Sequence, residues 1–151
     1  MGCFATGVTV VSCVADGTDH AITATSLVSV SLRPPLVLVC VEQRSRFHDA
    51  FRSAQMWGVS ILGADSREAA QRLATPGRPL AGQVDPYPHH RGPLTDAALL
   101  DDALAWLEIR TEELYPGGDH SIVVGRVLAV ELSDDAPPAL VHFRGSFGVI
   151  G

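Results

Sequence analysis

Gly7 to Ala15 reads Gly-Val-Thr-Val-Val-Ser-Cys-Val-Ala, a run dense in β-branched residues that ends on Asp16-Gly17-Thr18-Asp19. β-Branched side chains suit a pleated sheet, and Asp-Gly accepts the positive φ of a tight turn. The pattern predicts a strand and a turn, with His20 to Ala24 as the returning strand. Thr25 to Ser31 then alternates hydroxyl and apolar residues until Arg33-Pro34-Pro35 halts regular structure. Leu36 to Glu42 (LVLVCVE) is too short and too β-branched for a helix, which predicts a buried, central strand.

Ser45 precedes Arg46, Phe47, Ala50 and Phe51, the mark of a Ser-capped amphipathic helix with both phenylalanines on one face. Met56 to Leu62 predicts another strand. Ser66 to Leu73 predicts a short helix, with Ser66 as its cap and Ala69, Ala70 and Leu73 inward. Thr75 to Leu94 holds five of the ten prolines and the pair His89-His90, so it reads as a long surface excursion of the kind that covers a site. Leu104 to Leu114 and Ser121 to Leu132 predict two long strands separated by Tyr115 to His120. Ala139 to Phe143 predicts a further strand, and Arg144-Gly145-Ser146-Phe147 a turn into a last short one. Six or seven strands with two short helices, lacking regular βα alternation, indicate a mainly β barrel instead of a doubly wound sheet.

Composition narrows the setting. The 151 residues suit one domain spanning 1–151, with 46% apolar and 19% charged residues, a globular balance. No apolar run has the length of a membrane span, and the N-terminus lacks a basic segment followed by a signal-length apolar stretch, so no membrane association and a cytoplasmic location are expected. Cys3, Cys13 and Cys40 are odd in number and widely spaced, and the last two sit in apolar runs as buried thiols. A formal charge of -6 argues against nucleic acid, which is bound by neutralising phosphates. Any anionic ligand must be held by local groups.

Familiar chemistries fail one by one. No Gly-x-Gly-x-x-Gly follows a strand, and the chain has no P-loop, no Gly-x-Ser-x-Gly elbow and no His-Glu-x-x-His. The cysteines lack zinc spacing, and adjacent His89 and His90 seldom reach one ion, so they read as a solvated loop and no metal site is expected. What remains is the hydroxyl-rich segment Thr23 to Leu38. Small residues let a planar ligand approach the backbone, and hydroxyls can bond its polar edge. Composition alone serves a Ser/Thr turn that solvates itself equally well.

The string TATSLVSVSLRPPLVLVCVEQRS resembles the signature of the flavin reductase-like family, the small partners of two-component flavin-dependent monooxygenases. Gly118-Asp119-His120, entering the strand that carries Gly125, is similar to that family's Gly-Asp-His segment. Gly2 to Val11 resembles its opening and Phe143 to Phe147 its closing turn. The match covers nearly the whole chain in the family's order.

The resemblance implies a split β-barrel of the FMN-binding type that forms a homodimer and holds FMN or FAD, with NADH or NADPH as donor. Ala24, Thr25, Ser26, Ser29, Val30 and Ser31 would contact the flavin ring edge and ribityl chain. Cys40 would lie beside the ring, with core packing as its plainer role. Ser45 and Arg46 would lie near the phosphate at a helix start, where an anion is favoured, and Ser45 can serve as N-cap at the same time. His120 would act on the nicotinamide side, as the catalytic residue; its plainer role is to steady the turn by pairing with Asp119. Hydride would pass from the nicotinamide to flavin N5, and reduced flavin would leave for a separate oxygenase. A non-catalytic flavin-binding or flavin-carrying protein would have the same wall, and a structural barrel would bind no flavin. The opening at Gly2-Cys3-Phe4 departs from the family's pattern, in which a helix precedes it, and implies a weaker dimer or a partly uncovered site.

Overall fold

The two-residue turn at Asp16-Gly17, with φ of 50° and 70°, folds β2 (Thr9–Ala15) onto β3 (Thr18–Ala24) in an antiparallel hairpin. Positive φ at both central residues matches the twist of the flanking strands. Arg144-Gly145 makes the same turn, at 50° and 76°, between β11 (Ala139–Phe143) and β12 (Ser146–Ile150). The computed structural model describes residues 1–135 and 137–151.

The remaining strands are β1 (Thr6–Gly7), β4 (Val28–Leu32), β5 (Pro35–Glu42), β6 (Met56–Leu62), β7 (His89–Arg91), β8 (Ala98–Leu100), β9 (Ala103–Gly117) and β10 (His120–Leu132). Seven form one sheet in the order β3-β2-β6-β9-β10-β5-β4, while β1-β11-β12 and β7-β8 form smaller ones. Val8, where β1 passes into β2, accepts a bond from Leu62 N at 2.9 Å, and Gly63 bridges Ala139. The sheets meet there without closing, which is the split barrel expected from the sequence.

Helix α1 (Arg46–Ala54) covers one core and α2 (Arg67–Ala74) another. Phe47 and Phe51 stack at 5.1 Å, and Phe51 meets Trp57 edge-on at 5.0 Å. Such aromatic pairs add about 1 kcal/mol each beyond area burial. Gly125 lies flat against this cluster. A Cβ there would fall 2.3 Å from Ile109 Cγ2 and 2.6 Å from Trp57 Cζ2, so β10 approaches only because the side chain is missing.

Four expectations need correction. β5 is next to an edge, with only Val37, Val39 and Val41 buried, because β4 is the last strand. Ser66 makes no capping bond; a 3₁₀ turn over Ala64–Ser66 leads into α2, and the Ser66 hydroxyl donates to Asp102 O at 3.3 Å. β9 runs through Tyr115-Pro116-Gly117, leaving Gly118-Asp119 as the whole turn. His89 and His90 sit half-buried in β7: Nδ1 of His89 meets Tyr87 O at 2.7 Å, and Nδ1 of His90 meets Asp101 at 2.7 Å.

Candidate functional site

At Ala24 the chain leaves β3 and crosses through Thr25 and Ser26 toward β4. Two bonds fasten this crossing to β5: the Ser26 hydroxyl accepts from Cys40 N at 3.0 Å and donates to Cys40 O at 3.3 Å. The Thr9 hydroxyl donates to Ala24 O at 2.8 Å, and the Thr23 hydroxyl docks β3 on α2 through Ala70 O at 2.7 Å. The result is a stiff wall of small residues.

Beside it lies a cleft of about 320 Å³, whose lining includes Ala24, Thr25, Ser26, Cys40, Ser45 and His120. Those six come from three distant segments. The register of β10 on β5 sets His120 opposite Glu42. Gly118, at φ 73°, opens the turn that delivers it. His120 Nδ1 bonds Asp119 at 2.7 Å; a carboxylate only accepts, so Nδ1 carries the proton and Nε2 is the nitrogen available to a ligand. The same bond holds the exposed Asp119 carboxyl below the usual carboxylate range.

The loop between β5 and α1 is tied to that turn. Gln43 N donates to Asp119 O at 2.9 Å, its side-chain amide donates to His120 O at 3.0 Å, and buried His48 Nε2 pairs with Ser121 Oγ at 2.8 Å. Ser45 caps α1 as expected, accepting from His48 N at 3.2 Å while donating to Glu42 O at 2.7 Å. The helix start therefore faces the cleft with its positive dipole end.

A second cleft of about 250 Å³ continues from the first, sharing Glu42, Ser45 and Arg78 and adding Arg44 and Arg46. Arg78 comes from the excursion after α2. Its guanidinium donates to Ala21 O and, at 2.9 Å, to Thr75 O, while its own carbonyl accepts from Arg46. Its Nε is buried without a partner. Burial, and then the charge of Arg46, push the Arg78 pKa below the usual arginine range.

Ser29, Val30 and Ser31 are not gathered with the others. Ser29 lines a separate apolar groove with Phe4 and Leu27, Val30 is 48% exposed, and the Ser31 hydroxyl accepts from Arg33 N at 3.2 Å. Cys40 is half-buried at the cleft, whereas Cys13 is fully buried and its thiol is pushed up to about 12 by desolvation, out of reach of thiolate chemistry. Sequence reading missed Arg78 and Gln43, and it placed Thr23 at the start of the hydroxyl-rich wall without giving it a role of its own. For Arg78 a signal existed: a lone cation in Thr-Pro-Gly-Arg-Pro, within the segment expected to cover a site.

The sequence profile of the flavin reductase like domain matches residues 1–151. The chain belongs to the flavin reductase-like family. A reductase component of a 4-nitrophenol 4-monooxygenase/4-nitrocatechol 2-monooxygenase from Rhodococcus opacus is 35% identical over 148 residues, 98% of this chain and 76% of that one. Among solved structures, BorF, the flavin reductase component of a bacterial two-component tryptophan halogenase, superposes with a TM-score of 0.93 at 43% identity, covering 99% and 92% of the two chains. The NADH:FAD oxidoreductase SgcE6 of Streptomyces globisporus, solved with NAD and FAD fragments, gives 0.91 at 35% identity over 97% and 86%. Further relatives at 35–40% identity are named as NADH-dependent reductases of FMN or FAD.

The donor set fits a member of this flavin reductase-like family. Small side chains and neutral hydroxyls from Thr23 to Ser26 line one side of the first cleft, where a planar ring needs close approach, and Glu42, Arg78 and His120 complete it. Arg44, Arg46, Arg78 and the start of α1 line the second, with the Glu42 carboxylate at its border, and a phosphate needs such charge-assisted donors.

Proposed function

We propose that the protein is an NADH-dependent flavin reductase that reduces FMN or FAD and releases the product to a separate monooxygenase. The meeting in one cleft of the Ala24-Thr25-Ser26 wall, Cys40, Ser45 and His120 carries this reading. Ala24, Thr25, Ser26 and Cys40 would hold the ring, Ser45 and Arg46 the phosphate end, and His120 the nicotinamide. When bound, the flavin supplies the hydride-accepting ring. The chain supplies room, orientation and charge. Asp119 holds the His120 ring through Nδ1, which leaves Nε2 to meet the nicotinamide carboxamide and would align that ring against the wall.

The protein acts as a homodimer. Val28, Leu32, Val130 and Leu132 are 50–85% exposed, an apolar surface that a second copy would cover and to which Val30 adds. No helix among the described residues is long and apolar enough to cross a membrane. The cytoplasm, where the nicotinamide donor is available, is the proposed location.

Steady-state oxidation of NADH and NADPH, with FMN and FAD added in turn, tests the reading. NADH should be consumed only when flavin is present. Flavin binding without NADH consumption would make the chain a carrier, and no flavin binding would make it a structural barrel; either outcome overturns the proposal. Sedimentation reporting a monomer would remove the dimer alone.

A further inference from the structure

The space that begins at His120 does not end with the second cleft. A third, of about 350 Å³, opens from it past His20, Arg46 and Leu80, which line both. The first and third clefts share no lining residue, so the three lie in series. Arg46, Asp49, Ala50 and Ser53 stand at i, i+3, i+4 and i+7 on one face of α1 and form one side of the third. At roughly 1.5 Å per residue, that side runs about 10 Å beyond Arg46, the length of a nucleoside.

The chemistry changes along the series. The hydroxyl wall of the first cleft gives way to Arg44, Arg46 and Arg78 in the second. Beyond Arg46 the third holds two carboxylates, Asp16 and Asp49, set among Ala15, Ala50 and Leu80. Those carboxylates repel a further anion, while their oxygens accept from hydroxyl and amino groups and the apolar side chains suit the face of a base. His20 is 9% exposed and lines the second and third clefts where they join. Four other histidines bond a neighbour through the ring, but among the described residues none bonds the ring of His20. Buried polar side chains are as a rule hydrogen-bonded, so an imidazole left open on a cleft is a group that a ligand can satisfy.

We propose that the third cleft takes the adenosine half of FAD, with His20, Asp16 and Asp49 accepting from its hydroxyl and amino groups, and that the protein takes FAD in preference to FMN. This rests on the flavin reductase reading above and narrows its choice of flavin. FMN ends at the arginines. FAD carries a second phosphate to them and a neutral, donor-rich nucleoside past them.

Equilibrium titrations of FMN and FAD on the intact protein, followed by flavin fluorescence, test the assignment without turnover. Wild type should bind FAD about 10-fold or more tightly than FMN. Ser53→Trp, at an exposed position, fills the far end of the cleft and should weaken FAD by about 10-fold while FMN stays within about twofold. His20→Ala should weaken FAD alone by about 3- to 10-fold, the worth of one hydrogen bond. A wild type that binds FMN as tightly as FAD would overturn the proposal, as would either variant weakening both flavins alike. So would a Ser53→Trp variant that keeps its FAD affinity; a raised KM for NADH in that variant would give the cleft to the adenosine of the donor. The reductase reading survives all of these results, whereas a wild type that binds neither flavin would defeat both.

Discussion

Ser26 commits its hydroxyl to both backbone groups of Cys40, whereas Arg78, lining the same cleft, keeps a buried Nε with no partner. One wall has its polar groups satisfied internally and offers shape. The other is a loop cation anchored by bonds to carbonyl oxygens, and it offers charge. A flat, largely neutral ring asks for a rigid surface at the right depth, and a strand-bound wall supplies it. A phosphate asks for charged donors, and Arg44, Arg46 and Arg78 bring them to the second cleft.

The largest test of this contrast removes the group that belongs to neither wall. His120→Ala should lower kcat by about 10- to 100-fold, the range for one hydrogen bond to a reacting partner, while the flavin dissociation constant stays put. Complete loss of flavin affinity in that variant would sink the role given to His120. Next comes the rigid wall. Ser26→Ala strips a partner from both Cys40 N and Cys40 O and should cost about 2 kcal/mol, roughly 4–8 °C in Tm by calorimetry. An unchanged Tm would mean that the wall is not held as described.

Smaller effects separate capping from anion binding at the start of α1. Ser45→Ala should cost about 1 kcal/mol in chemical denaturation. Ser45→Asp keeps a capping oxygen but sets a negative charge beside the phosphate, so stability should hold while FMN affinity falls. If both properties survive, the helix start does not meet an anion. The smallest effect is in pH. Burial holds the His20 pKa below its ordinary value, against the pull of Asp19 and Asp16. The folded chain then binds fewer protons than the unfolded one, so this contribution is complete above about pH 6.5 and is lost as pH falls through the lower, folded pKa. Melting curves between about pH 7 and 5 should show a shallow decline that His20→Gln flattens.

The strand wall was legible because its causes are local. Asp16-Gly17 sets the β2–β3 hairpin, and Met56–Leu62 carries its strand pattern to both ends. Ser45 stands where a cap must stand, and Thr25-Ser26 follows β3 directly. The loop wall was not legible, because nothing near Arg78 in sequence says that Ala21 and Arg46 will be its neighbours. The end of β9 was misjudged for a related reason. Pro116 reads as a strand breaker, yet beyond Arg110 β9 has no pairing with β6, and an open edge tolerates the missing N–H. Ser29, Val30 and Ser31 share one hydroxyl-rich string with Ser26, but the string turns outward into β4, so similar residues serve different surfaces.

The bonds from Gln43 to the carbonyls of Asp119 and His120, with the His48–Ser121 pair behind them, have a metric meaning. They tie the loop that leads into the helix start carrying Ser45 and Arg46 to the turn that carries His120, and so set the separation of the two. The cleft is in that sense a gauge of set length. A nicotinamide steadied by His120 would then meet a flavin anchored at the helix start at a separation that the protein sets in advance of either ligand.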